Sequence, residues 1–242
     1  MIIQACLNGS RPPGYHPRLP VTPAAIVADA NAVARAGANE LHVHVRNDSG
    51  AETMEPSAAA TIIGEIRTAL PGALIGVSTG AWIERDDRRR LRFIEQWSEL
   101  PDYASVNLGE ADAPEVFATL HRRGIAVEAG LASLADIDRL LALDLVPLTF
   151  RLLVEVSEPE LSAAHAVADQ MLARVAAAGI RKPILLHGHD ATAWSFIERA
   201  VLQRFSTRVG LEDDNTLPDE SIAGSNAQMV AAALTIWRSA RR

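Results

Sequence analysis

Short apolar runs rich in β-branched residues alternate with longer Ala/Leu/Arg/Glu stretches whose apolar positions recur at helical spacing, and the alternation persists to the C-terminus. The short runs predict eight strands, at 2–7, 40–45, 73–77, 103–107, 126–128, 148–153, 183–187 and 207–211. The longer stretches predict eight helices, at 23–36, 56–69, 86–97, 113–122, 134–143, 159–178, 191–203 and 219–239. Boundary chemistry agrees in places: Thr22-Pro23 opens one helix, and Gly37 and Gly179 follow the ends of two others. Eight strand–helix units in 242 residues predict an α/β fold, a single (β/α)8 TIM barrel, with residues 1–242 as one catalytic domain. A doubly wound open sheet is the alternative, but no GxGxxG follows the first strand.

Composition narrows the partners. A chain 48% hydrophobic and 22% charged can fill one large core. Its net charge of −7 leaves no basic field for a polyanion, so a small molecule is expected rather than nucleic acid. Cys6 is the single cysteine, which excludes an intrachain disulfide and suits a reducing cytoplasm, the expected location. The first residues carry no basic stretch, and their apolar run breaks at Asn8 and Gly9. No later run approaches bilayer length, so neither export nor membrane insertion is expected.

Candidate chemistry begins at Leu41-His42-Val43-His44-Val45. Two-residue spacing puts both imidazoles on one strand face, while Leu41, Val43 and Val45 face the helices. Two buried imidazoles side by side each need a polar partner, and one divalent ion satisfies both. A hydrogen-bonded pair at a strand end is the plainer alternative. The third ligand is suggested where the eighth strand runs out, in Arg208-Val209-Gly210-Leu211-Glu212-Asp213. In a closed barrel that strand lies beside the first and the first beside the second, so Glu212 can reach the histidines. Arg208, Gly210 and Glu212 share a parity, with Gly210 expected to leave space for a ligand. Two His and one carboxylate leave an open position, as in catalytic zinc, where the ion polarises a carbonyl. The alternative here is a surface acidic turn with a snorkelling arginine.

Ser78-Thr79-Gly80, Ser105 with Asn107, and Glu128 stand at other inward strand ends and could line the same pocket for an oxygen-rich substrate; ordinary strand-end capping is the competing account. His187-Gly188-His189-Asp190 repeats the histidine spacing, but the glycine and the adjoining helix favour a pocket rim with Asp190 as helix cap. Glu84 to Arg90 reads as a capped, solvated helix start. Lys182 is the single lysine and precedes the seventh strand, which disfavours a Schiff-base aldolase and a carbamylated-lysine dinuclear hydrolase and leaves a mononuclear site.

Three segments together resemble the β-keto acid cleavage enzymes, known also through 3-keto-5-aminohexanoate cleavage enzyme. They are Leu7-Asn8-Gly9 followed by His16-Pro17-Arg18-Leu19-Pro20-Val21-Thr22-Pro23, then Ala36-Gly37-Ala38 leading into His42-Val43-His44, and Arg208 to Asp213. Val77 to Gly80 and Ala104 to Gly109 are similar to the family's middle-strand pocket segments. The resemblance implies a zinc-dependent TIM-barrel transferase, a cytoplasmic homo-oligomer. It would take a β-keto acid and acetyl-CoA as co-substrate, and give acetoacetate and a new acyl-CoA by Claisen and retro-Claisen steps. It implies zinc on His42, His44 and Glu212, an Arg208–Asp213 dyad that deprotonates the keto acid, and substrate contacts from Ser78 and Asn107. Some members carry an acidic residue just after the first-strand glycine, where this chain has Ser10-Arg11. That reversal predicts preference for a neutral or anionic substrate tail if Arg11 faces the pocket. The rival readings are a mononuclear zinc hydrolase or class II-type aldolase that needs no CoA, and a non-catalytic metal- or metabolite-binding barrel.

Overall fold

The expected alternation is present in the computed structural model, which describes residues 2–38 and 40–240. The strands are β1 (Ile3–Cys6), β2 (Glu40–Val43), β3 (Leu74–Ser78), β4 (Tyr103–Asn107), β5 (Ala126–Leu131), β6 (Thr149–Val156), β7 (Ile184–Gly188) and β8 (Thr207–Val209). The helices are α1 (Pro23–Ala36), α2 (Pro56–Ala69), α3 (Asp87–Gln96), α4 (Ala113–Arg122), α5 (Leu134–Ala142), α6 (Leu161–Ala177), α7 (Ala193–Gln203) and α8 (Asn226–Ser239). All ladders are parallel, in the order β7-β6-β5-β4-β3-β2-β1-β8. Ser206 closes the ring: Leu186 N–H donates to its carbonyl at 2.9 Å, and its own N–H donates to the Ile184 carbonyl at 3.0 Å. The result is a (β/α)8 barrel.

Local chemistry sets the elements. Thr22 Oγ1 accepts from Ala25 N–H ahead of Pro23, and Gly37 ends α1 at φ 113°. In α1, Ile26, Ala30 and Val33 form one buried stripe at helical spacing, and α4 does the same with Val116, Phe117 and Leu120. These stripes cover the outward strand residues, such as Leu41 and Val43, and make the main apolar layer.

The barrel interior is different. Gln4, Glu40, Tyr103, Glu128 and Arg151 meet there from five strands. Arg151 Nε donates to Glu128 Oε2 at 2.7 Å and its Nη2 reaches both Glu40 and Glu128. Gln4 Nε2 donates to Glu40 at 3.1 Å and to the Tyr103 hydroxyl at 2.7 Å. Each of the five is at most 1% exposed, so they plug the barrel beneath its mouth.

Several elements depart from expectation: β5 runs on to Leu131, three residues past its predicted end, and β8 stops at Val209, two residues short of its own. β6 starts after a 3-10 turn at Val146–Leu148 and runs on to Val156, three residues past its predicted end. α8 starts at Asn226 rather than 219, because Pro218 and its neighbours form a loop tied by Ala223 N–H to the Asn215 carbonyl, and Ser225 then caps the helix. Asp190 is not a helix cap: it takes φ +48° at the start of a single 3-10 turn, and Thr192 precedes α7. The Glu84–Arg90 run is a capped helix start as expected, with Asp86 accepting from Arg89 N–H at 2.9 Å. Arg90 within it is nevertheless fully buried, on Glu110 and Asp112.

Candidate metal centre

His42 lies on β2 and His44 just beyond its end, where Asn8 fixes the backbone. The Asn8 amide accepts from His44 N–H at 3.0 Å and donates to the His44 carbonyl at 3.0 Å and the Pro20 carbonyl at 3.1 Å. Glu212 is carried by the turn after β8, where Asp213 and Asp214 N–H groups donate to the Gly210 carbonyl. Asn226 at the start of α8 pins that turn, accepting from Leu211 N–H at 2.6 Å and donating to the Leu7 carbonyl at 2.8 Å.

Gly210 has a different role from the one its parity suggested. A Cβ there would lie 1.9 Å from the Cys6 carbonyl oxygen, so the glycine allows β8 to approach β1; it does not open ligand space. Gly9 sits at φ +52°, and a Cβ would meet Glu212 Cγ at 2.4 Å. Its bare backbone makes the seat for the Glu212 side chain.

The three predicted ligands converge. Glu212 Oε1 is 3.8 Å from His42 Nε2 and 3.6 Å from His44 Nε2, and the rings meet edge-on at 74°. Tetrahedral zinc with bonds of about 2.0–2.1 Å spaces its ligand atoms about 3.3 Å apart, close to this opening. Outer contacts fit the same purpose. Glu52 Oε1 is 2.6 Å from His44 Nδ1, the position of a carboxylate that orients a metal-binding imidazole. Glu212 Oε2 is buried with no hydrogen-bond partner, and with the donor set this free carboxylate oxygen fits a zinc-like ion; His42 Nδ1, on the ring's far edge, is also unpartnered.

Electrostatics separates the two imidazoles. Burial disfavours charge on both, and at His42 it prevails, pushing the ring down to about 3. At His44 the carboxylates of Glu212 and Glu52 overturn it, pushing the ring up to about 9. Glu212 itself is buried, yet Arg208 and the histidines hold it well below the usual carboxylate range.

Arg208 links this group to Asp213. Its Nε donates to Asp213 Oδ1 at 2.9 Å, and Nη2 donates to Asp213 Oδ1 at 2.6 Å and Glu212 Oε1 at 2.5 Å. Asp213 Oδ2 is buried and unpartnered, behind Arg208.

A cavity of about 290 Å³ opens above these groups. His42, His44, Glu212, Arg208, Arg11, Ser78, Ser105 and Asn107 line it, as expected from the sequence. Thr79, Gly80, Asp213 and Glu128 are not among its walls. Thr79 Oγ1 donates to the Ser105 carbonyl at 2.7 Å, and the Trp82 ring covers Gly80. Glu128 belongs to the plug below, because a carboxylate at that depth needs the Arg151 guanidinium beside it.

Trp82, Glu52 and Glu155 were not predicted as wall or support residues, whereas His189 was expected at the pocket rim. Trp82 stacks near His44 at 6.3 Å, with no signal in the sequence, and Glu52 is eight residues from the imidazole it contacts. Glu155 and His189 line the cavity too, together with the buried His187 forming a second cluster of metal-ligand type. The repeated histidine spacing was the available signal; the predicted end of β6 at 153 concealed Glu155.

A closed parallel barrel with its convergent polar side chains at the strand C-termini defines the TIM-barrel class of enzyme scaffolds. Among solved structures, 3-dehydroquinate dehydratase from Geobacillus kaustophilus shares that fold, with TM-score 0.64 and 13% identity, over 98% of this chain and 91% of that one. The chain belongs to the beta-keto acid cleavage enzyme family, whose family model matches residues 1–242. It is 33% identical over 112 residues to 3-keto-5-aminohexanoate cleavage enzyme of Acetoanaerobium sticklandii, a match covering 45% of this chain and 39% of that protein. It is 35% identical over 118 residues to 3-oxoadipate:acetyl-CoA acetyltransferase of Cupriavidus necator, covering 47% and 39%. The matches thus span about two fifths of the length of those relatives.

Proposed function

We propose that this protein is a zinc-dependent β-keto acid cleavage enzyme, exchanging acyl groups between a β-keto acid and acetyl-CoA. The observation that carries the reading is the joint placement of His42, His44 and Glu212 beside the Arg208–Asp213 pair in a family member's barrel mouth. Zinc held by those three side chains would supply a Lewis acid for the keto acid's oxygens. Arg208 and Asp213 act as one unit in removing the α-proton: Arg208 lines the cavity, and Asp213, buried behind it, holds the guanidinium in place and balances its charge. The α-carbon then attacks the acetyl thioester carbonyl, a C–C bond forms and CoA thiolate leaves. Return of the thiolate to the distal ketone breaks the original C–C bond, releasing the new acyl-CoA and the acetoacetate carbanion, which takes back the proton removed at the start. Ser78 and Asn107 offer polar contacts to the substrate from the cavity wall.

Arg11 faces this cavity, the condition on which its predicted selectivity depended. It is also held by Asp190 at 2.5 Å and by the Glu212 and Asp213 carbonyls. It thus presents a fixed guanidinium rather than a free one, and keto acids with a second carboxylate are favoured over amino-substituted ones. A panel of β-keto acids with acetyl-CoA, scored for both acetoacetate and acyl-CoA, tests reaction and selectivity together. Turnover without acetyl-CoA would refute the reaction and support the hydrolase or aldolase rival. Better activity on amino-substituted acids would refute the selectivity.

A further inference from the structure

β6 and β7 pair with Glu155 opposite His187. His187 and His189 straddle Gly188 at the end of β7, as His42 and His44 straddle Val43 at the end of β2. The geometry repeats as well. The second pair of rings meets at 74° with centroids 4.7 Å apart, against 74° and 5.2 Å in the first pair. Both Nε2 atoms approach one oxygen, at 3.0 Å and 3.5 Å from Glu155 Oε2. Behind the rings, His187 Nδ1 and His189 Nδ1 lie 3.8 Å and 3.9 Å from Asp213 Oδ1. His187 is 1% exposed and its Nδ1 has no hydrogen-bond partner.

Hydrogen bonding alone does not resolve this arrangement. A neutral imidazole has one N–H and one lone pair. If both rings donate from Nε2 to Glu155, both Nδ1 lone pairs face the Asp213 carboxylate. If both donate from Nδ1, the Nε2 lone pairs face Glu155. Either choice sets acceptor against acceptor. Protonating both rings would place two cations side by side, with the Arg208 guanidinium held on Asp213 as well, and protonating His189 alone still leaves the buried His187 Nδ1 lone pair facing Asp213. A divalent ion removes the conflict: both Nε2 lone pairs and the Glu155 carboxylate bind it, and both Nδ1–H groups face Asp213 as their outer partner.

We propose that Glu155, His187 and His189 bind a second divalent ion of the zinc type, in the cavity that His42, His44 and Glu212 also line. Two imidazoles and one carboxylate select zinc or a neighbouring first-row ion and leave a coordination position open. Glu155 and His189 line the cavity, so that position is available to an oxygen-bearing ligand. This goes beyond the acyl-exchange reading and does not depend on it.

The test is metal content, read without substrate. Chelated full-length protein is reloaded with excess zinc, dialysed free of loose metal and analysed for zinc per chain. Wild type should hold about two, and His187→Ala/His189→Ala and His42→Ala/His44→Ala about one each. Glu155→Gln, which preserves side-chain volume, should also fall to about one and covers the case in which the double variant does not fold. About one zinc in the wild type, or two retained in both Glu155→Gln and His187→Ala/His189→Ala, would overturn the proposal.

Discussion

A methyl group added at position 210 would press on backbone, and one added at position 9 would press on a side chain. The difference separates two outcomes. In Gly210→Ala the Cβ collides with the Cys6 carbonyl at 1.9 Å and is also within 2.9 Å of Asn226 Oδ1, so β8 must move off β1. Loss of about 3 kcal/mol or more is expected, read from the midpoint of denaturant unfolding. In Gly9→Ala the obstacle is the flexible Glu212 side chain, so the barrel persists with about 1 kcal/mol lost to the φ of +52°. The displaced carboxylate should instead weaken zinc about 10–100-fold, measured by competition with a chelator. Unchanged zinc affinity in Gly9→Ala would contradict the role assigned to Glu212. The imidazole pair and Glu212 were legible because strand parity and barrel closure are regular. Glu52 and Trp82 were not, since their positions depend on loop paths that no periodicity describes.

Between elements, α1 meets α8 through an acid. Asp29 Oδ2 accepts from Asn226 Nδ2 at 2.6 Å, and burial pushes its carboxyl up to about 6 despite that bond and the nearby Arg18. The folded protein therefore keeps a proton that the unfolded chain releases near its ordinary carboxylate value. This stabilisation is complete below about pH 4 and is lost as pH rises through about 6. Asp29→Asn cannot lose it. Its melting temperature should gain on that of the wild type between about pH 4 and pH 7, by the equivalent of about 1–2 kcal/mol after allowance for partial solvent screening. A difference that stays flat across that range would show that Asp29 ionises freely in the fold. Element existence was readable because the 2.0 and 3.6 periods alternate cleanly. Element ends were less so: β6 runs past Leu153 because its inward side chains, Leu153 and Glu155, meet a polar cavity rather than solvent.

At the scale of the molecule, the barrel closes through backbone bonds at Ser206 and through its apolar layer, with the candidate metal ligands confined to one end. Chelation should therefore leave the far-ultraviolet circular dichroism spectrum unchanged while lowering the melting temperature. Zinc at about a thousand times its dissociation constant should restore about 4 kcal/mol per occupied site. Loss of the spectrum on chelation would mean that metal holds the fold itself. The ring was legible as a count of strand–helix units. The polar plug was not: Gln4, Glu40, Tyr103, Glu128 and Arg151 are far apart in the chain and ordinary one by one, and only closure brings them together.

That plug makes the chamber a cul-de-sac. With the floor sealed by side chains at most 1% exposed, two reactants cannot arrive from opposite ends and pass their products straight through. If the protein exchanges acyl groups as proposed, its two reactants would share one doorway, so whichever seats deeper would come first and, after exchange, wait for the outer molecule to clear. Traffic through this mouth is a queue, and steady-state kinetics should show a compulsory order of arrival and departure.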